Sequence, residues 1–558
     1  LCLQSLMLGY MAAVFSIQMS SSVLTTINSD IGPSTAFAWL STSQVLPVGV
    51  LGPLTGRLSD IFGRRNFILV GNIFGLIGCV VCATATRVDV AIGGGTFIGV
   101  ASAFQQLAWT AVGELVPRKY RAFALGAFEM CALPPGAFGA IMGNAIAAHT
   151  TWRWVYWVPF ILNTAGLFAV FLFYRPKNQY IREEGKTVMQ ELFDLDWMGF
   201  FLYGNGLLLL LLGISFGGNV FPWYEKSAGT ICLIVIGALL LVAFGFYEYY
   251  WDQIFPLFPP VVMKKTRGVI MVLVGIFLFG MMYYSVAVLW PQQIMALYTT
   301  DLIKVGWYAS ALGMVGIVAS FVSGYIFTRF GHARLLFLFI ITVGTVAAGC
   351  MAIKPESPVA STIFVAMQGF TVGAGMIVST AMVQMAVSHE YLGVTTQLAV
   401  TARNVGGAVG TVIYTSIFTG RIKANVAKYV AFPLAKSGVP FQSLQAVVYA
   451  LIGQAPPAVL AMLSPAQLGL AMAGVKQAYV HSFRVVYLSS IAFGVLGVIS
   501  VAFCKNVDHL MTNQVDIKLD EGAKLTGGVT DTGEGHIITI AEQQLHKHGH
   551  HHHNEKEI

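Results

Sequence analysis

Runs of about 20 apolar residues, the length a helix needs to cross a hydrocarbon core of ~30 Å, recur along nearly the whole chain. They fall at roughly 5–27, 36–55, 67–86, 90–113, 121–146, 153–174, 197–217, 228–249, 268–296, 305–328, 334–353, 358–382, 391–419 and 482–504, about fourteen by hydropathy. Several end at breakers: Gly32-Pro33, Pro117 and Pro176. Composition agrees. Of 558 residues, 56% are hydrophobic and 10% charged, against about a quarter charged in a soluble domain, and mean hydropathy is +0.72. An all-α polytopic membrane protein is predicted. The net charge of +7 is spread through loops and not gathered on one face, so nucleic acid is not an expected partner. Cys79 and Cys82 are spaced as C-x-x-C but lie inside a span, where they read as small packing residues. No cleavable signal sequence is found, because the first apolar run continues too far and reads as a span. A chain opening on Leu1 is expected to lack an N-terminal segment.

Lys and Arg set the expected orientation. Loops after even-numbered spans carry clusters (Arg57, Arg64, Arg65; Arg118, Lys119, Arg121; Arg175, Lys177, Arg182, Lys186; Lys264, Lys265, Arg267), whereas the alternate short loops carry single basic residues such as Arg87 and Arg153. The clusters, and with them both termini, are predicted to be cytoplasmic. The stretch 420–481 also holds several basic residues, but it is near the length at which the charge rule stops applying and is placed outside. Within it, Ser464-Pro465-Ala466-Gln467 reads as a capping box opening a helix that runs into the last span. From Lys505 on the chain is polar and is expected to be a disordered cytoplasmic tail. Its histidine-rich end reads as flexible, and no metal site is assigned.

One short loop is unlike the rest. Residues 56–65, GRLSDIFGRR, place Asp60 between Gly56 and Gly63 and end on Arg64-Arg65. A second copy, GYIFTRFGHAR at 324–334, repeats the glycine spacing with Gly324 and Gly331, has Thr328 in place of Asp60, and ends on His332 and Arg334. The first copy follows the second span and the other follows the tenth. This implies two six-helix halves, 1–175 and 268–504, separated by a loop at 176–196 and two extra spans within 197–250, with the outer loop 420–481 and the tail 505–558 appended. Asp60 is expected to bond backbone N–H groups at the N-terminus of a helix from the other half, and the arginines to anchor to acidic residues and lipid.

The pattern in this setting resembles the signature loop of the major facilitator superfamily. Further stretches narrow the likeness. Asp196-Trp197-Met198-Gly199 and Phe221-Pro222-Trp223 look like fourteen-span facilitators. Glu114 to Arg121, Tyr283-Tyr284-Ser285, Leu289 to Gln293, Gly306-Trp307, Arg403-Asn404-Val405-Gly406-Gly407 and Gly438-Val439-Pro440 resemble the fungal trichothecene efflux pump family, close to the fungal siderophore-iron transporters. The resemblance implies proton-coupled export of a toxic organic compound at a fungal plasma membrane. The fourth span departs from the usual antiporter pattern: Gly95 stands where Arg is usual, and Ile98 where Gln is.

Ionisable residues deep in spans are functional candidates by default. Glu129 lies about 12 Å into the fifth span, before the Pro134-Pro135-Gly136 break. It is a candidate proton-coupling carboxyl, or a structural bond to a neighbouring helix. Arg403 sits near mid-membrane and needs a carboxylate, carbonyl or anionic substrate as partner. It is a candidate ion-pair or gating residue, or a fixed clamp. Gly406-x-x-x-Gly410 beyond it allows close helix packing, and Glu248 reads as structural. An apolar cavity with a few placed polar groups would take a small organic substrate. Candidate lining residues are Gln105, Gln106, Trp109, Asn163, Tyr283, Tyr284, Trp290, Gln293 and Gln384. Gly93-Gly94-Gly95 lies inside a span with no preceding strand and reads as helix packing, not as a phosphate loop.

No P-loop and no cofactor motif is found, so a secondary transporter is expected and not an enzyme. The first reading is a monomeric exporter of a toxin, secondary metabolite or xenobiotic, coupled to protons and working in lipid by alternating access. Proton-coupled uptake of ferric siderophores is the alternative, and a transporter-like sensor is a third class.

Overall fold

The computed structural model describes residues 2–32, 39–176, 190, 195–219, 228–251, 256–299, 301–437 and 464–511. Among these are fourteen long helices. They are α1 (Cys2–Ser22, continued as Leu24–Ile31), α2 (Trp39–Phe62), α3 (Arg64–Ala83), α4 (Val88–Leu115), α5 (Arg118–His149), α6 (Trp154–Phe173) and α7 (Trp197–Asn219). After them come α8 (Ala228–Tyr250), α9 (Thr266–Leu297), α10 (Leu302–Phe330), α11 (Ala333–Met351), α12 (Pro358–Ala386), α13 (Leu392–Val426) and α14 (Pro465–Ala502). Each expected apolar run falls on one of them. Large apolar side chains such as Ile161, Phe168, Leu239 and Phe339 stand exposed on the helix surfaces, as in a bundle whose solvent is lipid.

Twelve of these helices are long and apolar enough to cross a membrane; α2 and α13 are not among them. The reason is where their polar side chains go. Ser43, Gln44, Thr55, Arg57, Ser59 and Asp60 of α2, and Thr395, Thr396, Gln397, Thr401 and Asn404 of α13, are buried. The two helices lie against each other, and the Thr401 hydroxyl donates to the Gly49 carbonyl across the contact at 3.2 Å. Protein, not lipid, covers this polarity.

The remaining packing follows the repeat. Helix α1 packs on α5 and α6, α3 on α4 and α6, and α2 on α4; in the second bundle α9 packs on α13 and α14, α11 on α12 and α14, and α10 on α12. Two seams join the bundles, α2 with α13 and α5 with α10, while α7 and α8 pair with each other and α7 rests on α13 and α2. A Cβ on Gly410 would meet the Met281 Cα at 2.7 Å, so the Gly406-x-x-x-Gly410 face lets α13 lie directly on α9. Gly94 likewise lies against Gly78 and Cys82, which assigns the glycine run of α4 to packing. Cys79 and Cys82 are free and buried.

The breaks have local causes. A 3-10 turn at Met130–Ala132 interrupts α5 just before Pro134 and Pro135, which cannot donate the next helical hydrogen bonds. Ser464 and Gln467 form the expected capping box of α14. That helix has 38 residues, about 57 Å at 1.5 Å per residue, so it outruns a bilayer core. Its first turns pack Ala471 and Ala478 on Val426, Val430 and Leu434, beyond the end of α13. Part of the long connection between α13 and α14 is therefore helical; the Gly438-Val439-Pro440 stretch lies outside the described residues, as does Phe221-Pro222-Trp223.

The tail expectation needs correction at its start. Residues 505–511 are packed: Val507 is buried, the Lys505 N–H donates to the Arg267 carbonyl, and Asp508 accepts from the N–H groups of His332 (2.8 Å) and Ala333 (3.0 Å) at the start of α11. Partial burial pushes the Asp508 carboxyl up, but the Ala333 N–H, the Asn506 amide, the His332 N–H and the His332 ring together hold it below its ordinary value. A depressed folded-state value means the stabilisation is complete above the unfolded value, about 4, and is lost as pH falls through the folded one. Hydrogen exchange at the His332 and Ala333 amides should therefore show protection at neutral pH that fades below about pH 4. In Asp508→Asn the amides should exchange faster at neutral pH; equal protection there would remove Asp508 as the cap.

Candidate functional site

Asp60, near the end of α2, reaches across the first seam. Its Oδ1 accepts from the Gly393 N–H and its Oδ2 from the Val394 N–H, both at 2.9 Å, at the N-terminus of α13. Those N–H groups have no carbonyl one turn back to bond, so a carboxylate there meets both unpaired donors and the positive end of the helix dipole. Arg64, one turn beyond Asp60 and buried like it, donates to Asp60 Oδ1 at 2.7 Å and also pairs with Glu114 at the end of α4. Arg57 stands over the Tyr391 ring at 5.6 Å, just ahead of α13. Gly56 permits the approach, since a Cβ there would stand 2.8 Å from the Gly393 carbonyl oxygen and 2.9 Å from the Val394 Cα. Gly63, at φ 89°, turns the chain from α2 into α3. Arg65 donates to the Phe171 carbonyl at the end of α6.

The second copy keeps the geometry and drops the charge. Gly324 lies against Ala122 and Phe123 at the start of α5, as Gly56 lies against Gly393 and Val394. Arg334 donates to the Ala502 carbonyl at the end of α14, the counterpart of Arg65 on Phe171. The Thr328 hydroxyl, in Asp60's place, makes no hydrogen bond. That seam is held by Phe123 against Phe321 and Tyr325 instead.

Between the bundles lies a cavity of about 850 Å³. Glu129, Met376 and Arg403 line its floor, and Ser22, Asn144, Met295 and Gly306 line it toward the helix ends opposite Asp60. Glu129 accepts from the Tyr10 hydroxyl at 3.0 Å. Toward the Asp60 end the core is filled: Trp109 and Phe128 pack on the Tyr10 ring, and buried Arg121 donates to the carbonyls of Gly113 at 2.6 Å and Gln384 at 3.3 Å, tying α4 and α12 together.

The expected site residues divide accordingly. Gly56, Asp60, Gly63, Arg64 and Arg65 form one cluster, and Glu129, Arg403, Tyr283 and Trp290 line the cavity. No ion pair joins Glu129 to Arg403, although the two lie within electrostatic range of each other. Gln105 does not line the cavity; its amide donates to Asn72 at 2.9 Å and Asn163 at 2.6 Å, clamping α3, α4 and α6. Gln293 is likewise spent on Tyr298, Pro355 and Tyr487, and the Gln384 amide donates to the Thr396 hydroxyl within the packed interior. Trp109 is buried behind Tyr10, and Gln106 sits at the kink of α4 outside the lining. The Tyr284 side chain lies outside the described residues. Glu248 accepts from the Phe258 N–H at 2.7 Å, a structural role. Sequence reasoning missed Tyr10, Gln18, Asn144 and Gln292 in the cavity, and Glu114 and Arg121 beside the latch. The last two were visible as charges flanking the end of a span.

Two helical bundles around a central cavity, with a charged latch at one end of one seam, define an integral membrane transporter of the major facilitator fold, not an enzyme. Over 92% of this chain and 98% of the other, the structure superposes on the proton:xylose symporter XylE of that superfamily with a TM-score of 0.53 at 12% identity. The family model described as fungal trichothecene efflux pump matches residues 2–539, and the chain belongs to that family. It is 28% identical to the trichothecene efflux pump TRI12 of Fusarium sporotrichioides over 92% of this chain and 87% of that one. It is also 28% identical to the pump of the same name from Trichoderma arundinaceum, over 97% and 92%.

The latch makes a direct prediction. Asp60→Asn removes a charge-assisted contact with two backbone donors, worth about 1.5–3 kcal/mol, so the balance between closed and open forms at that end should shift roughly tenfold to hundredfold. Pulsed electron-spin distances between labels at the end of α2 and the start of α13 should show a longer population. Gly56→Ala should do the same by steric wedge. Unchanged distance distributions in both variants would remove the latch role.

Proposed function

We propose that the protein is a proton-coupled exporter of a toxin, secondary metabolite or xenobiotic, working by alternating access from a plasma membrane with both termini in the cytoplasm. The observation that carries this reading is the opposition of closure and opening: the Asp60 latch holds α2 to α13 at one end, and the cavity reaches the other. With the basic loops cytoplasmic, the described form faces outward. Breaking the latch while packing the opposite helix ends would face the cavity inward to load cargo.

Glu129 is the coupling group in this reading. It is the one carboxyl among the described residues lining the cavity, within reach of protons entering from the open end. Its bond to Tyr10 ties its state to α1, which packs on both α5 and α6. A trichothecene toxin is the first cargo to test, on the strength of family membership.

Purified protein in vesicles with an imposed pH gradient tests this. A trichothecene should move against the proton gradient, and Glu129→Gln should reduce transport to the rate seen without a gradient. Gradient-driven transport unchanged in Glu129→Gln would remove Glu129 from coupling. Uptake of a ferric siderophore in place of toxin extrusion would overturn the efflux reading.

A further inference from the structure

The cavity floor has one polar group whose hydrogen-bonding capacity is largely unspent. Arg403 Nε makes no hydrogen bond, and its neighbouring Nη1 meets only the Met376 sulfur, a weak acceptor. No carboxylate pairs with it. The facing acid, Glu129, is engaged by Tyr10. The Arg403 backbone, in contrast, is fixed: Gly280 of α9 packs directly on it. Arg403 is half-buried and lines the cavity, its Nε sealed among protein atoms, so its outer guanidinium nitrogens border that space, and among the described residues no ion pair holds them. A guanidinium only donates, in a planar fork that matches oxygen acceptors.

The apolar wall is equally specific. Trp290 borders the cavity but is almost wholly buried, and its indole N–H is committed to the Tyr308 carbonyl at 3.1 Å, so it backs the apolar wall from behind. Met295 and Val305 continue that wall. Gln18, Gln292 and Asn144 carry both donors and acceptors, and so do not favour one ligand polarity.

We propose that Arg403 is the cargo's polar anchor, and that the cavity takes a compound with an apolar body bearing an oxygen acceptor, carboxylate or carbonyl, that meets the guanidinium. This rests on the transport reading above and deepens it. The body lies on the Met295 wall while the acceptor receives the outer Arg403 N–H groups. Cargo binding then fills a vacancy the protein leaves open, and compounds lacking an acceptor leave the guanidinium unsatisfied and bind weakly.

Three tritiated probes with one ring body separate the possibilities: 2-naphthoic acid, its methyl ester and 2-methylnaphthalene, bound to the purified full chain in nanodiscs, with empty nanodiscs as the partition control. Wild type should bind the acid and the ester above the hydrocarbon. Arg403→Gln should weaken the acid about a hundredfold and the ester about tenfold, and leave the hydrocarbon unchanged. Arg403→Lys should keep part of the acid binding but little of the ester preference, and Met295→Ala should weaken all three together. Equal binding of the acid and ester by wild type and Arg403→Gln overturns the proposal, as does equal loss of all three probes in a variant that elutes as wild type. Failure of wild type to prefer either oxygenated probe overturns it too. Because the readout is binding, an Arg403-dependent preference without vesicle transport would count against the efflux reading alone.

Discussion

Closure at one end of the molecule depends on one carboxylate meeting two backbone N–H groups. Asp60 lies on α2 and its donors begin α13, 333 residues later in the chain. Each partner needs the other. A buried carboxylate away from such donors would be costly, and a helix start buried at a seam without an acceptor would leave its first N–H groups unpaired. Arg64 balances the charge from one turn away and carries it on to Glu114. The whole cluster is buried, so little water is present to weaken it, and removal of Arg64 would leave two buried carboxylates without their shared cation.

The two seams obey the same steric rule and different electrostatic ones. Both bring a glycine of the repeated loop against the start of the partner helix, Gly56 on Gly393 and Gly324 on Ala122. Only the α2–α13 seam adds a carboxylate. The α5–α10 seam relies on aromatic contact, which has no fixed register of donors and acceptors and tolerates sliding. The described fold therefore has a strong clasp on one side of the cavity and a softer contact on the other. The paired helices α7 and α8 flank the clasped side, with α7 against α13 and α2.

Much of this was legible from residue order, because hydropathy and motif spacing are one-dimensional signals. The fourteen long helices, the repeat, the Asp60 contact and the α14 capping box all have that character, although only twelve of those helices are long and apolar enough to cross a membrane. What escaped depends on rotation about a helix axis. Gln293 and Gln292 are neighbours, but one residue turns a helix by about 100°, so Gln292 faces the cavity and Gln293 the packed interior. Gln105 and Asn163 looked like cargo ligands because each is polar and mid-span; only three-dimensional placement shows them satisfying each other. Asp508 sits in a polar stretch with no periodicity, and its role appears only when the start of α11 is brought beside it.

Helix α13 connects the clasp and the cavity in one rigid body. From Gly393 to Arg403 it runs ten residues, about 15 Å at 1.5 Å per residue, with Thr401 bonded across the seam on the way. Any movement that withdraws Gly393 and Val394 from Asp60 must carry Arg403 with it, because no break interrupts the helix between them. The converse follows by linkage. A cargo group that binds Arg403 more tightly in the clasped arrangement stabilises the clasp by the same free energy, and one that binds equally well in both arrangements shifts nothing. The polar character that keeps α2 and α13 from reading as ordinary spans is therefore the character that lets the occupancy of the cavity be felt at the far end of the seam.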